Sequence, residues 1–236
     1  MSLAEKIRQV EENIAAAARE VGRDLSEITL VAATKVQTSE TIREAIAAGV
    51  KVCGENRVQE MTAHLADNAY EGAKLHFIGH LQTNKVKFVV GRVDLIESVG
   101  SQRLLEAIEQ QAAKVGVVQD ILLEVNVGGE ESKSGVSVAE LPALAARAAE
   151  LPHVRLRGLM AIPPVAQNEG ENRPFFAQMR QLFVDIKEKM DDNKSVIDCL
   201  SMGMSRDYED AVREGATLVR VGTALFGPRP PMGQPG

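Results

Sequence analysis

The stretch TLVAATK, Thr29 to Lys35, is apolar through its centre and stops on a lysine. It is framed by Ser26-Glu27 before and by Thr38-Ser39 after. A short, continuously apolar run bounded in this way suits a strand covered on both faces, as in a parallel sheet. Lysine is costly inside such a layer and free at its edge. Lys35 therefore marks either the place where the strand meets solvent or a place where the fold presents an amine.

Outward from that strand, the chain alternates. Strand patterns fall at 28–35, 51–55, 74–79, 95–98, 120–127, 155–161, 196–201 and 218–222, after an opening amphipathic helix at about 3–21. Between them lie helical patterns such as SETIREAIAAG and SQRLLEAIEQQAAKVG, opened by Ser and closed by Gly. Strand and helix in alternation force parallel strands with right-handed crossovers, so the class is α/β. Strands of this number and spacing, with no Pro/Gly-rich linker or break in composition, predict a single (β/α)8 TIM barrel over 1–227. An open doubly wound sheet is the alternative. The Pro/Gly-rich tail at 228–236 has too little to bury and is expected to be flexible.

Composition narrows the partners. The chain has 236 residues, 44% hydrophobic and 25% charged, with a net charge of −6. An acidic surface without a basic patch argues against nucleic acid and against an anionic membrane. No run approaches the roughly 18 apolar residues of a membrane span. A cytoplasmic protein is expected, acting as a monomer. Cys53 and Cys199 lie in strand-like runs and read as small buried hydrophobes, since no metal-ligand spacing accompanies them.

In a barrel, side chains at the C-terminal strand ends face the functional mouth. Lys35 sits at the first of these. The seventh and eighth ends carry MGMSRD and RVGT, which place Gly203, Ser205, Gly222 and Thr223 in one corner. The loops after strands seven and eight form the usual phosphate site of this architecture. Ser205 is placed as the N-cap of a short helix, and small residues let backbone N–H groups and hydroxyls close on an anion. Arg220, two residues before Gly222, shares its face and donates without accepting, so it can serve a phosphate or a ring nitrogen. An amine whose pKa falls near other cations in a partly dry mouth becomes able to form a Schiff base. Lysine, phosphate corner and arginine together describe a site for pyridoxal phosphate. A Schiff-base aldolase acting on a sugar phosphate would use a lysine and a phosphate corner equally well, with Glu55 as its carboxylate.

The motifs ATK, GENRVQE, HFIGHLQTNK, SKSG, RGLMAIPP, LSMGMSRD and RVGTALFG, spread over 28–227, resemble the YggS/PROSC family of pyridoxal phosphate homeostasis proteins in order and spacing. That resemblance implies the barrel of the alanine racemase N-terminal domain, a fold-type III pyridoxal phosphate architecture. It implies that Lys35 carries the Schiff base, that Asn56 lies beside the cofactor, and that Ser205, Gly222 and Thr223 hold its phosphate. Met202 and Gly203 would lie nearby, with Arg220 facing the pyridine nitrogen. It further implies buffering or delivery of the cofactor to dependent apoenzymes, with no established turnover; a weak amino-acid racemase is the alternative. Neither tyrosine is well placed as a second base: Tyr70 is expected on the far side of the barrel from the mouth, and Tyr208 in the first turn after Ser205.

Other polar residues read more plainly. His76 and His80 would share one strand face, packed or hydrogen-bonded rather than ligating a metal. Lys133 is expected as a solvated lysine on a loop, and Lys85 at the start of a helix after strand three.

Overall fold

The computed structural model describes residues 1–130, 134–190 and 196–228. Its centre is a closed barrel of eight parallel strands in chain order, with the first pairing the last. The strands are β1 (Thr29–Ala33), β2 (Val52–Glu55), β3 (Lys74–Phe77), β4 (Leu95–Val99), β5 (Gln119–Val125), β6 (Val154–Ala161), β7 (Cys199–Met204) and β8 (Leu218–Val221). Around them run α1 (Leu3–Glu20), α2 (Ser39–Ala47), α3 (Val58–Ala66), α4 (Gln102–Val115), α5 (Leu141–Glu150), α6 (Arg173–Lys189), α7 (Tyr208–Arg213) and α8 (Thr223–Phe226). The predicted α/β barrel with an extra N-terminal helix is the fold observed.

Alternation along each strand separates two cores. Val31, Ala33, Val52, Leu95, Leu122, Met160 and Leu218 point into the barrel with Ile78, while Ala32, Cys53, Phe77, Ile96, Leu123 and Val221 face the helices. Both faces are covered, which explains why the strands read as apolar runs rather than as alternating ones.

The last helix spans only four residues, too few to cover its share of the barrel. The N-terminal helix lies beside it, in contact with α7, α8 and α2. Ser2 and Glu5 form a capping box that starts α1, and Ile7, Val10 and Ile14 repeat at helical spacing on its buried face. Each of these aliphatic side chains contributes about 2 kcal/mol by leaving water. Arg23, just past the helix, donates to the carbonyls of Val212 and Ala216 at the end of α7.

The expected boundaries shift at several strand ends, and at the seventh and third strands the shift changes a reading. The seventh strand begins at Cys199 rather than at 196 and runs on to Met204; Val196 is exposed. The third strand stops at Phe77, and its crossover is the 3-10 helix Thr83–Phe88, with Lys85 inside it beside the Phe88 ring. Cys53 is buried as expected, but Cys199 is only half-buried, its thiol donating to Asp198. Lys133 and the tail beyond Pro228 lie outside the described residues.

Candidate functional site

At the C-terminal ends of the strands, a cavity of about 420 Å³ opens between β1, β8 and the loop after β6. Lys35, Asn56, Ser205, Arg220, Gly222 and Thr223 all line it.

Lys35 follows β1 by two residues and continues the inward parity of Val31 and Ala33. Both its neighbours are tied down. The buried Thr34 hydroxyl donates to Glu55 Oε1 at 2.6 Å, and the Val36 N–H donates to Glu60 Oε2 at 2.9 Å. Val36 sits at φ +66°, a left-handed conformation that a β-branched residue adopts only when its surroundings impose it. The lysine thus projects from a short turn clamped at both ends.

Behind this turn lies a buried polar knot. Glu55 Oε1 also accepts from the Tyr70 hydroxyl at 2.9 Å and lies 3.3 Å from His64 Nδ1. Burial, and then the Glu55 charge, push the Tyr70 phenol well above its ordinary range. Tyr70 is therefore a donor fixed behind β2 and outside the cavity, but its hydroxyl reaches the mouth-side end of that strand rather than the far side of the barrel that was expected.

Asn56 follows Glu55 at the end of β2. Gly79 lets the chain after β3 close onto it: a Cβ there would lie 2.2 Å from the Asn56 carbonyl oxygen. Asn56 Oδ1 is buried and has no hydrogen-bond partner among the described residues.

Ser205 departs from its expected role. Asp207 takes the N-cap position of α7, and its Oδ1 accepts from the Met204 N–H at 2.7 Å. Ser205 Oγ instead accepts from the N–H groups of Gly222 and Ala224, at 3.1 and 3.3 Å. Its lone pairs are then engaged, and its own proton remains to be donated into the cavity. The corner built by the seventh and eighth strand ends is present, assembled by a serine that bridges them.

Arg220 is buried in the barrel, donating to Ser201 Oγ and to the Ala161 carbonyl. Glu97 Oε2 lies 3.9 Å away; it accepts from Ser201 at 2.6 Å, while Glu97 Oε1 pairs with His76 Nδ1 at 2.7 Å. Burial pushes the guanidinium down from its ordinary value against the opposing pull of Glu97. Burial alone would raise the Glu97 carboxyl, but His76, Arg220 and Ser201 together hold it below its ordinary value. Arg220 also lines the cavity and has donors to spare.

Two expected residues stand behind the wall. Met202 is fully buried in the outer core, and neither it nor Gly203 lines the cavity. Gly203, at φ +88°, lets α7 press against β7, since a Cβ there would lie 2.4 Å from that of Ala211. The two histidines do not share a strand face. His76 points into the barrel, whereas His80 lies exposed past the strand end, 3.2 Å from Ser134 Oγ. The Tyr208 hydroxyl, in the first turn of α7, accepts from Asn13 at 2.9 Å. The apolar rim of Ile162, Pro164 and Val165 went unassigned from sequence, although the quoted RGLMAIPP motif contains the first two and Val165 follows it directly. Among the described residues no group of His, Cys, Asp or Glu could hold a metal ion, and no helix is long and apolar enough to cross a membrane.

Comparison with known proteins gives the chain its family. The sequence profile of the family described as alanine racemase, N-terminal domain, matches residues 6–230. The pyridoxal phosphate homeostasis protein of Aquifex aeolicus is 44% identical over 97% of this chain and 99% of its own; that of Escherichia coli K12 is 40% identical over 96% and 97%. The structure of PipY of Synechococcus elongatus with PLP bound is similar at TM-score 0.82 and 33% identity, covering 96% of this chain and all of that one. An alanine racemase from Corynebacterium glutamicum, at 13% identity and TM-score 0.67, shares the fold over 62% of its length. The chain belongs to the pyridoxal phosphate homeostasis proteins, within the family of the alanine racemase N-terminal domain.

Proposed function

We propose that this chain binds pyridoxal 5'-phosphate through Lys35 and holds it in reserve for dependent apoenzymes. The observation that carries the reading is the placement of one lysine, one buried arginine, a hydroxyl-lined corner and an unpartnered amide oxygen around a single cavity.

The residues fit the group. Lys35 supplies the primary amine for the cofactor's aldehyde. Ser205 and Thr223 supply hydroxyl donors for a phosphate, and Gly222 leaves room there, because a Cβ would already touch that of Ala33 at 3.4 Å. Arg220 offers N–H groups to the ring nitrogen, and the orphaned Asn56 Oδ1 marks a position where the protein awaits a donor. When bound, the cofactor supplies an aldehyde and an electron-withdrawing ring. A guanidinium has no proton to give up at neutral pH and cannot accept one, so a ring nitrogen facing Arg220 stays unprotonated and the ring is a weak electron sink. Neither tyrosine lines the cavity, so neither supports a second base opposite Lys35. Both points favour holding over turnover, and with them the carrier reading over the racemase. The exposed apolar rim at Ile162 and Val165 suits brief contact with a recipient protein. We read the chain as a monomer in this role, which light scattering on the loaded protein tests.

The deciding experiment is the visible absorption spectrum of the protein with pyridoxal phosphate, for wild type and for Lys35→Ala. A protein-bound band in wild type that the variant lacks is expected. No band in wild type, or the same band in both, overturns the reading.

A further inference from the structure

A second cavity, of about 640 Å³, lies on the opposite side of the mouth, where β3, β4 and β5 end. It shares no lining residue with the first. Its floor is unusual because of a bulge. Between Ile96 and Val99, β4 advances three residues while its partner β5 advances two, from Ile121 to Leu123. Ile96 and Val99 both face the helices, so the extra residue leaves Glu97 and Ser98 turned inward in succession.

Ser98 is 3% exposed, and its Oγ is buried without a hydrogen-bond partner among the described residues. Beside it on the cavity wall, Glu124 is 6% exposed, and among the described residues its carboxylate has no hydrogen-bond or ion-pair partner. Burial raises the Glu124 carboxyl above its ordinary value, and Arg220 acts on it only through charge. A buried hydroxyl short of a donor is costly unless something fills the space, and the Glu124 carboxylate lines the same cavity. The rim carries the opposite sign. Arg103 is exposed and unpaired among the described residues, and it belongs to the first turn of the 14-residue α4, whose leading N–H groups favour negative charge. Gly100 and Gly135 hold the two walls together, since a Cβ on Gly100 would lie 2.8 Å from the Gly135 Cα.

We infer that this cavity is a second ligand site, shaped for a small α-amino acid in its zwitterionic form. Glu124 and Ser98 take the ammonium group, and Arg103 with the first turn of α4 takes the carboxylate. A simple amine would satisfy the floor and meet repulsion at the rim; a simple carboxylate would do the reverse. The site binds without the cofactor, so it stands or falls separately from the role proposed for Lys35.

Titration calorimetry on the full chain, without and with pyridoxal phosphate, tests this with L-alanine, ethylamine and propionate. L-alanine should saturate with a Kd of about 1 mM. Ethylamine and propionate should bind at least about tenfold more weakly, because each leaves one end of the site unanswered. Ser98→Ala and Glu124→Gln should each raise the L-alanine Kd about tenfold. Amide NMR shifts on adding L-alanine should appear at Gly100 and Gly135 and not at Gly222 or Ala224. Absence of saturable L-alanine binding to wild type overturns the proposal. So does ethylamine or propionate binding as tightly as L-alanine, or an undiminished affinity in Ser98→Ala. The three-ligand comparison needs only wild type, so a variant that misfolds does not leave the matter open.

Discussion

The two ends of the barrel treat polar groups in opposite ways. At the N-terminal end, Arg157 donates to Asp120 and Asp198 at once, Arg155 donates to Asp120, and the Gln119 amide bonds to three backbone groups. At the C-terminal end, the buried side-chain atoms without a partner among the described residues are Glu55 Oε2, Asn56 Oδ1 and Ser98 Oγ. They lie at or next to the ends of strands two and four. One end of the fold has spent its hydrogen-bonding capacity on itself, and the other has kept some back. In a protein interior an unmet polar atom is destabilising, so its persistence at one end only points to a ligand there.

The largest effect should come from the network that joins these ends. Glu97 sits midway, bonded to His76 on one side and to Ser201, next to Arg220, on the other. Glu97→Ala leaves a guanidinium buried without its counter-charge, which should cost about 3–5 kcal/mol in urea titrations. The same network fixes a pH dependence. Because the folded Glu97 carboxyl titrates below its ordinary value of 4.5, its contribution is complete above that pH and is lost as pH falls through the depressed value. The stability gap between wild type and Glu97→Gln should therefore narrow on acidification below pH 4.5. A constant gap would show that the charge of Glu97 is not what matters.

A smaller effect belongs to the self-satisfied end. Arg157→Ala breaks both of its bridges, but the side chain is partly solvated, so the loss should be about 1–2 kcal/mol. Cofactor affinity, read from the bound absorption band, should not move. If it does, the two ends are coupled and the comparison fails.

How much of this was legible in the sequence follows a physical line. Strand parity was readable, because burial on both faces writes itself as an apolar run, and with it the placement of Lys35 and Arg220. Partners were not. Periodicity shows that Glu97 and Arg220 face inward, but not that they meet across the barrel through Ser201. Ser205 was assigned to the wrong helix because Ser and Asp are both good caps, and Asp207, two residues on, takes the position nearer the turn. Assuming that strand three ran to 79 put His80 on a face that its backbone leaves after Phe77. The bulge that turns Ser98 inward leaves no mark in IESV, since nothing in the run says which of its residues is the extra one. Met202 was read as a neighbour of the cofactor on resemblance alone; its place in the apolar outer core is what its chemistry would have suggested.

The smallest expected change in stability is the one that tests the comparison most directly. At the self-satisfied end, removing a side chain should cost stability and leave binding alone; at the mouth the order should reverse. Asn56→Ala removes a buried acceptor that the cofactor-free chain leaves unmet, so the lost packing and the relieved desolvation oppose one another, each about 1 kcal/mol. The variant without cofactor should then melt within a few degrees of wild type. Pyridoxal phosphate raises the melting temperature of wild type by mass action, and that increment should shrink in the variant, because affinity falls about tenfold when a contact of about 1.4 kcal/mol is lost. Two melting curves per protein, with and without cofactor, separate the outcomes. A variant that melts far below wild type without cofactor would mean that Asn56 is part of the scaffold. A variant with an unchanged increment would mean that its unmet oxygen is not kept for this ligand.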